Sequence, residues 1–340
     1  MYRRVFWTAV VLLIFAYPST AATYYVGSCK SGSFPTISAA ISSSLVAPGS
    51  TIAICPGQYK EQVFISKPVT LQGLTAHHSS QVQIFYDTPE TTVSRILGTA
   101  LAPIVWVTAS PVNIRNIVVS DFYSTTCPSP EHVGIFYDSG ASGNLNHVAV
   151  QTVFGNNIYC TGYGIWAENA NVSPTSVNIS NSFSDAGIVA LSANISPVLT
   201  VNITGNQIFP SASNTVLTSG IYLYQVKAGV TSNSIIVKLP KQRGGLGVYA
   251  SAKAVTISGN TILGEDLDTG GIAVVVDGPS ILSNTFVGLG NGISLNCTNA
   301  TVSSNTFTSS GLGIAAVPSS FTGTNNFYTD GLNTSASCGP

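Results

Sequence analysis

Two carboxylates, Asp138 and Glu168, are the pair in this sequence best placed for acid–base chemistry. Each lies four residues after a glycine that opens a recurring Gly-Ile or Gly-Val phrase, at Gly134 and Gly164. If these glycines mark equivalent points of stacked strands, the two carboxylates share a face, with Cα atoms about 4.8 Å apart. Carboxylates that close repel, so one retains its proton and the pair can act as acid and base. Retaining glycosidases use a separation of about 5 Å, so this spacing predicts glycoside hydrolysis.

Aromatic side chains fall on the same predicted face. Strand alternation after each glycine points the next Ile or Val inward, so the second and fourth residues after the glycine point outward. The aromatic residues at these two positions are Phe136, Trp166, Tyr222, Tyr249 and Tyr224. Sugars stack their apolar faces on such rings, which predicts a substrate-binding groove. The alternative is that long loops cover the face and the aromatic side chains pack beneath them.

The elements that must position these residues form a repeat. An Asn is followed two places later by Ile or Phe at Asn181, Asn206, Asn233, Asn260, Asn284, Asn305 and Asn325, in steps of 20 to 27 residues. The Asn and Gly phrases recur with the same, slowly changing period, which indicates a single structural unit stacked many times. The residues between these phrases are rich in β-branched side chains, and apolar and polar residues alternate. This pattern predicts about three short strands per unit. An Asn at one place in each coil can hydrogen-bond to those above and below, which predicts a buried Asn ladder.

These phrases resemble the repeats of the pectate lyase-like superfamily. The resemblance implies an all-β fold, a right-handed parallel β-helix of roughly ten to twelve coils, with the clearest repeats over 134–327. The segment Gly57-x-Tyr59-x-Glu61 and a short helix expected near Pro35 are similar to the N-terminal cap of pectin methylesterases. Residues 23–74 are therefore expected to form the cap and first coils, because the open end of a solenoid needs covering. No linker interrupts 23–340, which is expected to be a single domain.

The catalytic motifs of two related enzyme classes are absent. Pectin methylesterases carry two Asp in motifs of the QDTL and DFIFG kind and an Arg in a GRPW-like motif, and polygalacturonases carry NTD, paired Asp, GHG and RIK. The nearest approach is Asp121-Phe122-Tyr123, which lacks the rest. Tyr59 and Glu61 are therefore expected to pack the first coil and to make a turn hydrogen bond.

Charged residues cluster in two successive segments that are expected to be long turns. The first contains Lys238, Lys241 and Arg243, and the second contains Glu265, Asp266 and Asp268. In pectate lyases the base is an Arg or Lys beside acidic calcium ligands, so the resemblance implies Arg243 as a base and the three acids as calcium ligands. Clustered carboxylate oxygens suit Ca²⁺, the only cofactor that the sequence indicates. The alternative is a set of weak ion pairs on exposed loops.

The first 22 residues read as a secretory signal peptide. Arg3 and Arg4 precede the apolar run Val5 to Ala16, and Thr20-Ala21-Ala22 offers a small-residue cleavage site. The run is shorter than the ~20 residues that span a bilayer, and a retained N-terminal anchor is the alternative. No other segment is apolar enough to span. The mature chain is therefore expected to be secreted, periplasmic or displayed on the cell surface, and monomeric.

Charge and cysteine content support export. Removal of the leader leaves 10 basic and 13 acidic residues, a net charge of −3, which argues against a nucleic-acid partner. Six cysteines without CxxC spacing fit an oxidising compartment. Fifteen connectivities are possible. Order along the chain favours neighbours, namely Cys29 with Cys55, Cys127 with Cys160, and Cys297 with Cys338.

The combined prediction is an exported β-helix that binds a polysaccharide or cell-surface glycan and degrades it, as a glycoside hydrolase or a uronate lyase. A non-catalytic structural or adhesion protein is the rival interpretation, because no catalytic motif is complete. A third interpretation is a binding module that uses the aromatic side chains alone.

Overall fold

The computed structural model describes residues 21–74, 81–86, 92–94, 100–121, 131–151, 162–175, 178–180, 186–193, 199–209, 218–237, 245–251, 254–275, 278–296, 299–308, 310–317, 320–322, 326–328 and 333–334. Within these, the side chains at 94, 121, 175, 178, 180, 218, 265–268, 316–317, 320–322, 327–328 and 333–334 lie outside the description. Most of the predicted leader also lies outside the described residues. The same holds for Cys127, Cys160, Cys297, Cys338, Lys238, Lys241, Arg243, Asn181 and Asn325.

The described chain is built from short strands and one helix. The first half contains β1 (Thr23–Val26), α1 (Ile37–Ser42), β2 (Thr51–Ile54), β3 (Gly57–Lys60), β4 (Val63–Ile65), β5 (Thr70–Gly73), β6 (Val82–Tyr86), β7 (Val93–Ser94), β8 (Ala100–Val107), β9 (Asn113–Arg115), β10 (Val118–Asp121), β11 (Glu131–Tyr137), β12 (Ser142–Asn146), β13 (Ala149–Gln151), β14 (Gly162–Glu168), β15 (Asn171–Thr175) and β16 (Asn178–Ser180).

The second half contains β17 (Ala186–Leu191), β18 (Thr200–Thr204), β19 (Gln207–Phe209), β20 (Thr218–Tyr224), β21 (Lys227–Thr231), β22 (Ser234–Val237), β23 (Gly245–Ser251), β24 (Ala254–Ser258), β25 (Thr261–Val274), β26 (Ser280–Leu282), β27 (Thr285–Asn296), β28 (Asn299–Ser303), β29 (Thr306–Thr308), β30 (Leu312–Val317), β31 (Ser320–Thr322), β32 (Phe327–Tyr328) and β33 (Asn333–Thr334).

The strands stack into three parallel ladders, which we call sheets 1, 2 and 3. Sheet 1 has the order β1-β2-β5-β9-β12-β15-β18-β21-β24-β26-β28-β31. Sheet 2 runs from β3 and β6 through β10, β13, β16, β19 and β22 to β25, β27, β29 and β32. Sheet 3 runs from β4 and β8 through β11, β14, β17, β20 and β23 to β25, β27, β30 and β33.

Each coil visits sheets 1, 2 and 3 in that order, and β25 and β27 pass from sheet 2 to sheet 3 without a break. Among the described strands, only the pairing of β7 with β8 is antiparallel. The fold is therefore a right-handed parallel β-helix. The twelve strands described in sheet 1 agree with the roughly ten to twelve coils expected.

The core is a set of inward columns of apolar side chains. In sheet 2, Ile208, Ile235 and Ile262 stack in register and continue into Phe286 and Phe307, all with no exposed surface. The last two rings lie 4.9 Å apart and nearly parallel. Because adjacent coils present the same residue type at the same point, each column packs like against like, and the main core runs from Val26 to Ile314.

The predicted Asn ladder is present at the corner between sheets 1 and 2. Asn206, Asn233, Asn260, Asn284 and Asn305 are buried, and the backbone N–H and side-chain Nδ2 of each donate to the Oδ1 of the next. The residue before each Asn has a positive φ, between 55° and 65°. Gly or Ser holds this left-handed position, and it makes the corner sharp enough to bury the amide.

Beyond the five Asn of the predicted ladder, the two ends do not follow the Asn-x-Ile or Asn-x-Phe phrases of the sequence. Asn305 donates to the Oδ1 of Asn326 rather than of Asn325, and Tyr328 pairs with Phe307. At the other end, Ile179 pairs with Ile208, and Asn181 lies outside the described residues. An Asn-x-aromatic phrase fits two registers equally well, and only the strand pairing distinguishes them.

The glycine column of sheet 3 has a packing cause. A Cβ added at Gly220 would lie 2.6 Å from Cγ2 of Ile235 and 2.7 Å from the carbonyl oxygen of Gly247. The same two kinds of contact recur at Gly164, Gly247, Gly271 and Gly292. Sheet 3 thus approaches both the core side chains of sheet 2 and the next coil too closely for any side chain.

The N-terminal end is closed by α1. The Glu61 carboxylate accepts hydrogen bonds from the backbone N–H of Ile37 and of Ser38, at 2.8 and 2.9 Å. The Tyr59 hydroxyl donates to the Cys55 carbonyl at 2.8 Å, and burial, together with the Glu61 charge, raises the Tyr59 pKa. Tyr59 therefore packs against the first coil, as expected, whereas Glu61 caps helix α1 instead of making the expected turn hydrogen bond. The predicted disulfide between Cys29 and Cys55 is formed.

Candidate outer-face binding site

One column of side chains crosses the outer face of sheet 3. Its members pair strand by strand in the order Phe64, Trp106, Phe136, Trp166, Val189, Tyr222 and Tyr249. The four aromatic members after Trp106 were predicted, and the structure places them in register. The first two were missed because β4 and β8 contain no Gly-Ile phrase. The sequence offered only the short apolar strand Val63-Phe64-Ile65, whose middle residue points outward when its two neighbours point into the core.

The middle of this column is closed to solvent. Phe136 has no exposed surface and Trp166 is 4% exposed. Both belong to a second apolar cluster, outside the main core, with Leu101, Val133 and Val189. The interpretation that these rings are packed beneath a cover is therefore correct for this segment, and neither ring offers an open stacking face.

The column is open at its N-terminal end. Phe64 is 45% exposed, and its ring lies 4.8 Å from that of Trp106 at an angle of 57°. The two rings form the floor of a cleft of about 610 Å³, whose rim includes Lys60, Gln62 and Tyr86. We call this the N-terminal cleft.

The column is also open at its C-terminal end. The rings of Tyr222 and Tyr249 stack 5.0 Å apart at 17°, and Tyr224 is 38% exposed. Burial raises the pKa of Tyr222, and the neighbouring hydroxyls of Tyr249 and Tyr224 add to the shift. We call these three residues the tyrosine face. All three were predicted to bind substrate.

The two carboxylates lie at equivalent points of successive coils, as their spacing predicted. Tyr137 pairs with Ala167, and Asp138 and Glu168 come next in the chain. Each accepts from an indole: Trp106 Nε1 donates to Asp138 Oδ2 at 3.1 Å, and Trp166 Nε1 donates to Glu168 Oε2 at 3.2 Å. The Ser139 N–H also donates to Asp138 Oδ1 at 2.6 Å, and Glu168 is 5% exposed. The carboxylates therefore hold two rings of the aromatic column in place.

The expected charged turns are described only in part. Arg243 and the two lysines lie outside the described residues, as do the side chains of Glu265, Asp266 and Asp268. The backbone of the acidic segment was expected to be a turn, but it belongs to β25, with Asp266 opposite Leu289. A register irregularity between Leu263 and Gly270 absorbs its extra length. Among the described side chains, no group of three potential metal ligands occurs.

No helix within the described ranges is long and apolar enough to cross a membrane.

Comparison with known proteins agrees with the coil geometry. A family model described as "Right handed beta helix region" matches residues 195–337. No curated protein matches the sequence. A GH136 lacto-N-biosidase from Eubacterium ramulus superposes with a TM-score of 0.58 and 10% identity, over 91% of this chain and 68% of that one. PfbA, a surface adhesin of Streptococcus pneumoniae, superposes with a TM-score of 0.51 and 12% identity, over 85% of each chain.

These likenesses define the class of protein as a right-handed parallel β-helix. At 10% and 12% identity they show the fold, and any function must be argued from the outer face of sheet 3.

Proposed function

We propose that this protein is an exported β-helix that binds polysaccharide or a cell-surface glycan at the tyrosine face. The observation that carries the proposal is the stacked pair Tyr222 and Tyr249, partly exposed on adjacent coils with Tyr224 beside them. Adjacent rings on a parallel sheet repeat at about 4.8 Å, which forms a continuous platform for a flat ligand.

The chemistry of the tyrosine face suits sugars. An aromatic ring offers an apolar face for the C–H surface of a pyranose, and each phenol adds a hydroxyl that donates and accepts. Tyrosines held by stacking also lose little conformational freedom on binding, so more of the contact energy appears as affinity.

The structural neighbours are compatible with this proposal. One is named as a lacto-N-biosidase, which acts on a glycan, and the other as a surface adhesin. The disulfide between Cys29 and Cys55 and the predicted leader favour export, because disulfides persist in oxidising compartments.

Affinity electrophoresis through gels that contain polygalacturonate, alginate, xylan or soluble chitosan tests the proposal. We expect one of these polymers to retard the protein, and Tyr222→Ala with Tyr249→Ala to weaken binding by about tenfold or more, the equivalent of about 1.4 kcal/mol. The matched control is Tyr25→Ala on sheet 1, a partly exposed ring away from the tyrosine face. Equal retardation of the wild type and the double variant would overturn the proposal.

A second candidate is glycoside hydrolysis by Asp138 and Glu168, favoured by their equivalent positions on successive coils. The same polymers are incubated with purified protein, with and without calcium, and reducing ends and unsaturated products are measured. Reducing ends that are lost in Asp138→Asn or Glu168→Gln would support hydrolysis. Calcium-dependent unsaturated products that are lost in Arg243→Ala or Asp268→Ala would move the activity to the lyase residues.

Binding without turnover of any polymer would leave a binding module or an adhesion protein.

A further inference from the structure

We propose that the N-terminal cleft is a separate binding site for a chain end or a short saccharide, about the size of a mono- or disaccharide. The inference rests on the glycan binding proposed above and adds a second site with a different ligand length.

The floor is an aromatic corner. Phe64 and Trp106 occupy paired positions on β4 and β8, and their rings meet at 57°. At this angle the two rings do not form one flat platform, so successive sugars of a long chain cannot stack on both in one plane. The Trp106 indole is anchored by Asp138, so its ring is already oriented before a ligand arrives.

The walls supply polar groups. Besides the two rings, the cleft is lined by Thr36 and Ser38 from the start of α1 and by Lys60, Glu61, Gln62 and Tyr86. Hydroxyl, amide and ammonium groups are the partners that sugar hydroxyls need, since each can donate and most can also accept. The volume of about 610 Å³ lies within the roughly 300–1,000 Å³ typical of small-ligand sites.

The cleft is closed on the side where the next ring of the aromatic column follows. The next member, Phe136, has no exposed surface, so the open floor spans only the two coils of Phe64 and Trp106. Helix α1 lies at the opposite end. Trp106 and Tyr222 are separated by four strand steps, which is about 19 Å. A ligand on the cleft floor therefore cannot extend along the column to the tyrosine face, and the two sites act separately.

Isothermal titration with cellobiose, chitobiose and digalacturonate, and with the matching hexasaccharides, tests this site. We expect at least one disaccharide to bind as tightly as its hexasaccharide, within about twofold, and Phe64→Ala to weaken disaccharide binding by about tenfold. Phe64→Leu keeps an apolar side chain without a ring and should lose as much. Leu45→Ala, at a 70% exposed position outside the cleft, is the control.

Three results would overturn the inference: no disaccharide binding, affinity that climbs steadily with chain length, or equal loss of disaccharide binding in Phe64→Ala and Tyr249→Ala. The last two would indicate one continuous groove. The tyrosine variants could bind polymer normally while Phe64→Ala loses disaccharide binding. That result would contradict glycan binding at the tyrosine face and would support the site in the N-terminal cleft.

Discussion

At the residue scale, buried amides make the hydrogen bonds that the corners of the coils would otherwise lack. Each Asn of the ladder after Asn206 accepts two hydrogen bonds at Oδ1 from the preceding Asn and donates from Nδ2 to a carbonyl of the preceding coil, as Asn260 does to Val230. The backbone N–H of each Asn is buried at a corner where no strand partner exists. The side chain is therefore part of the backbone hydrogen-bond network.

We expect Asn260→Leu to reduce the free energy of unfolding by about 1 to 3 kcal/mol. The substitution leaves the buried N–H and Nδ2 of Asn233 without their acceptor. Urea unfolding followed by circular dichroism measures the change. The matched control is Asn202→Leu, an exposed position on sheet 1, and an equal loss there would contradict the argument.

A second residue-scale prediction concerns alkaline pH. Tyr137 is fully buried, and burial raises its pKa far above the usual value of about 10. Below pH 10 both states hold the proton, so the contribution to stability is complete. As the pH rises above 10, the unfolded state releases a proton that the folded state retains, and the free energy of unfolding falls by about 1.4 kcal/mol per pH unit.

The Tyr137→Phe variant lacks the hydroxyl that titrates, so its free energy of unfolding cannot fall in this way. At pH 8 we expect the variant to be about 1 kcal/mol less stable than the wild type, because the Val112 carbonyl loses its donor. At pH 11 the difference should vanish or reverse. Urea unfolding at both values measures it, with Tyr25→Phe as a partly exposed control, and a constant difference would refute the assignment.

At the element scale, the cap depends on one carboxylate from the first coil. Helix α1 has six residues, too few to be stable alone. The Thr36 hydroxyl accepts from the Ala39 N–H, and Glu61 accepts from the two N–H groups at the start of the helix. The helix is thereby tied to the coil that it covers.

We expect Glu61→Ala to destabilise the protein by about 1 to 2 kcal/mol, since it leaves the first N–H groups of α1 without an acceptor. Glu61→Gln keeps one acceptor oxygen and should cost less. Urea unfolding gives both values. If Gln and Ala cost the same, the capping bonds do not stabilise the helix.

The coils could be predicted from the sequence more fully than the burial of their outer face. The period of Asn and Gly phrases predicted the coils, because stacked strands need the same residue at the same corner. The burial of Phe136 and Trp166 was one of two open alternatives, since strand alternation shows that a ring leaves the core but not what lies above it. Phe64 and Trp106 were missed because their strands contain no repeat glycine that would mark the outward positions in the sequence.

At the scale of the whole molecule, the disulfide connects the proposed export with stability. We expect the secreted protein to begin at or near Thr23 and to contain joined Cys29 and Cys55, as mass spectrometry of intact protein and non-reduced peptides would show. Replacing both cysteines by Ala should cost about 3 kcal/mol, because the crosslink closes a loop of 26 residues. Full-length secreted protein, or unchanged stability in the double variant, would contradict this.

The ladder of amides also makes the solenoid directional. The backbone N–H of every Asn donates toward the next coil on the C-terminal side, so these bonds form an aligned row with a donor end and an acceptor end. A solenoid cut after any coil leaves the backbone N–H and one Nδ2 hydrogen of its last Asn without an acceptor. A cut before a coil keeps that backbone N–H paired and removes only the carbonyl acceptor of one Nδ2 hydrogen. Orphaned N–H groups are the rarer and costlier defect. Shortening the protein from its C-terminal side should therefore be more harmful than losing the same number of coils from the other side, apart from the cap.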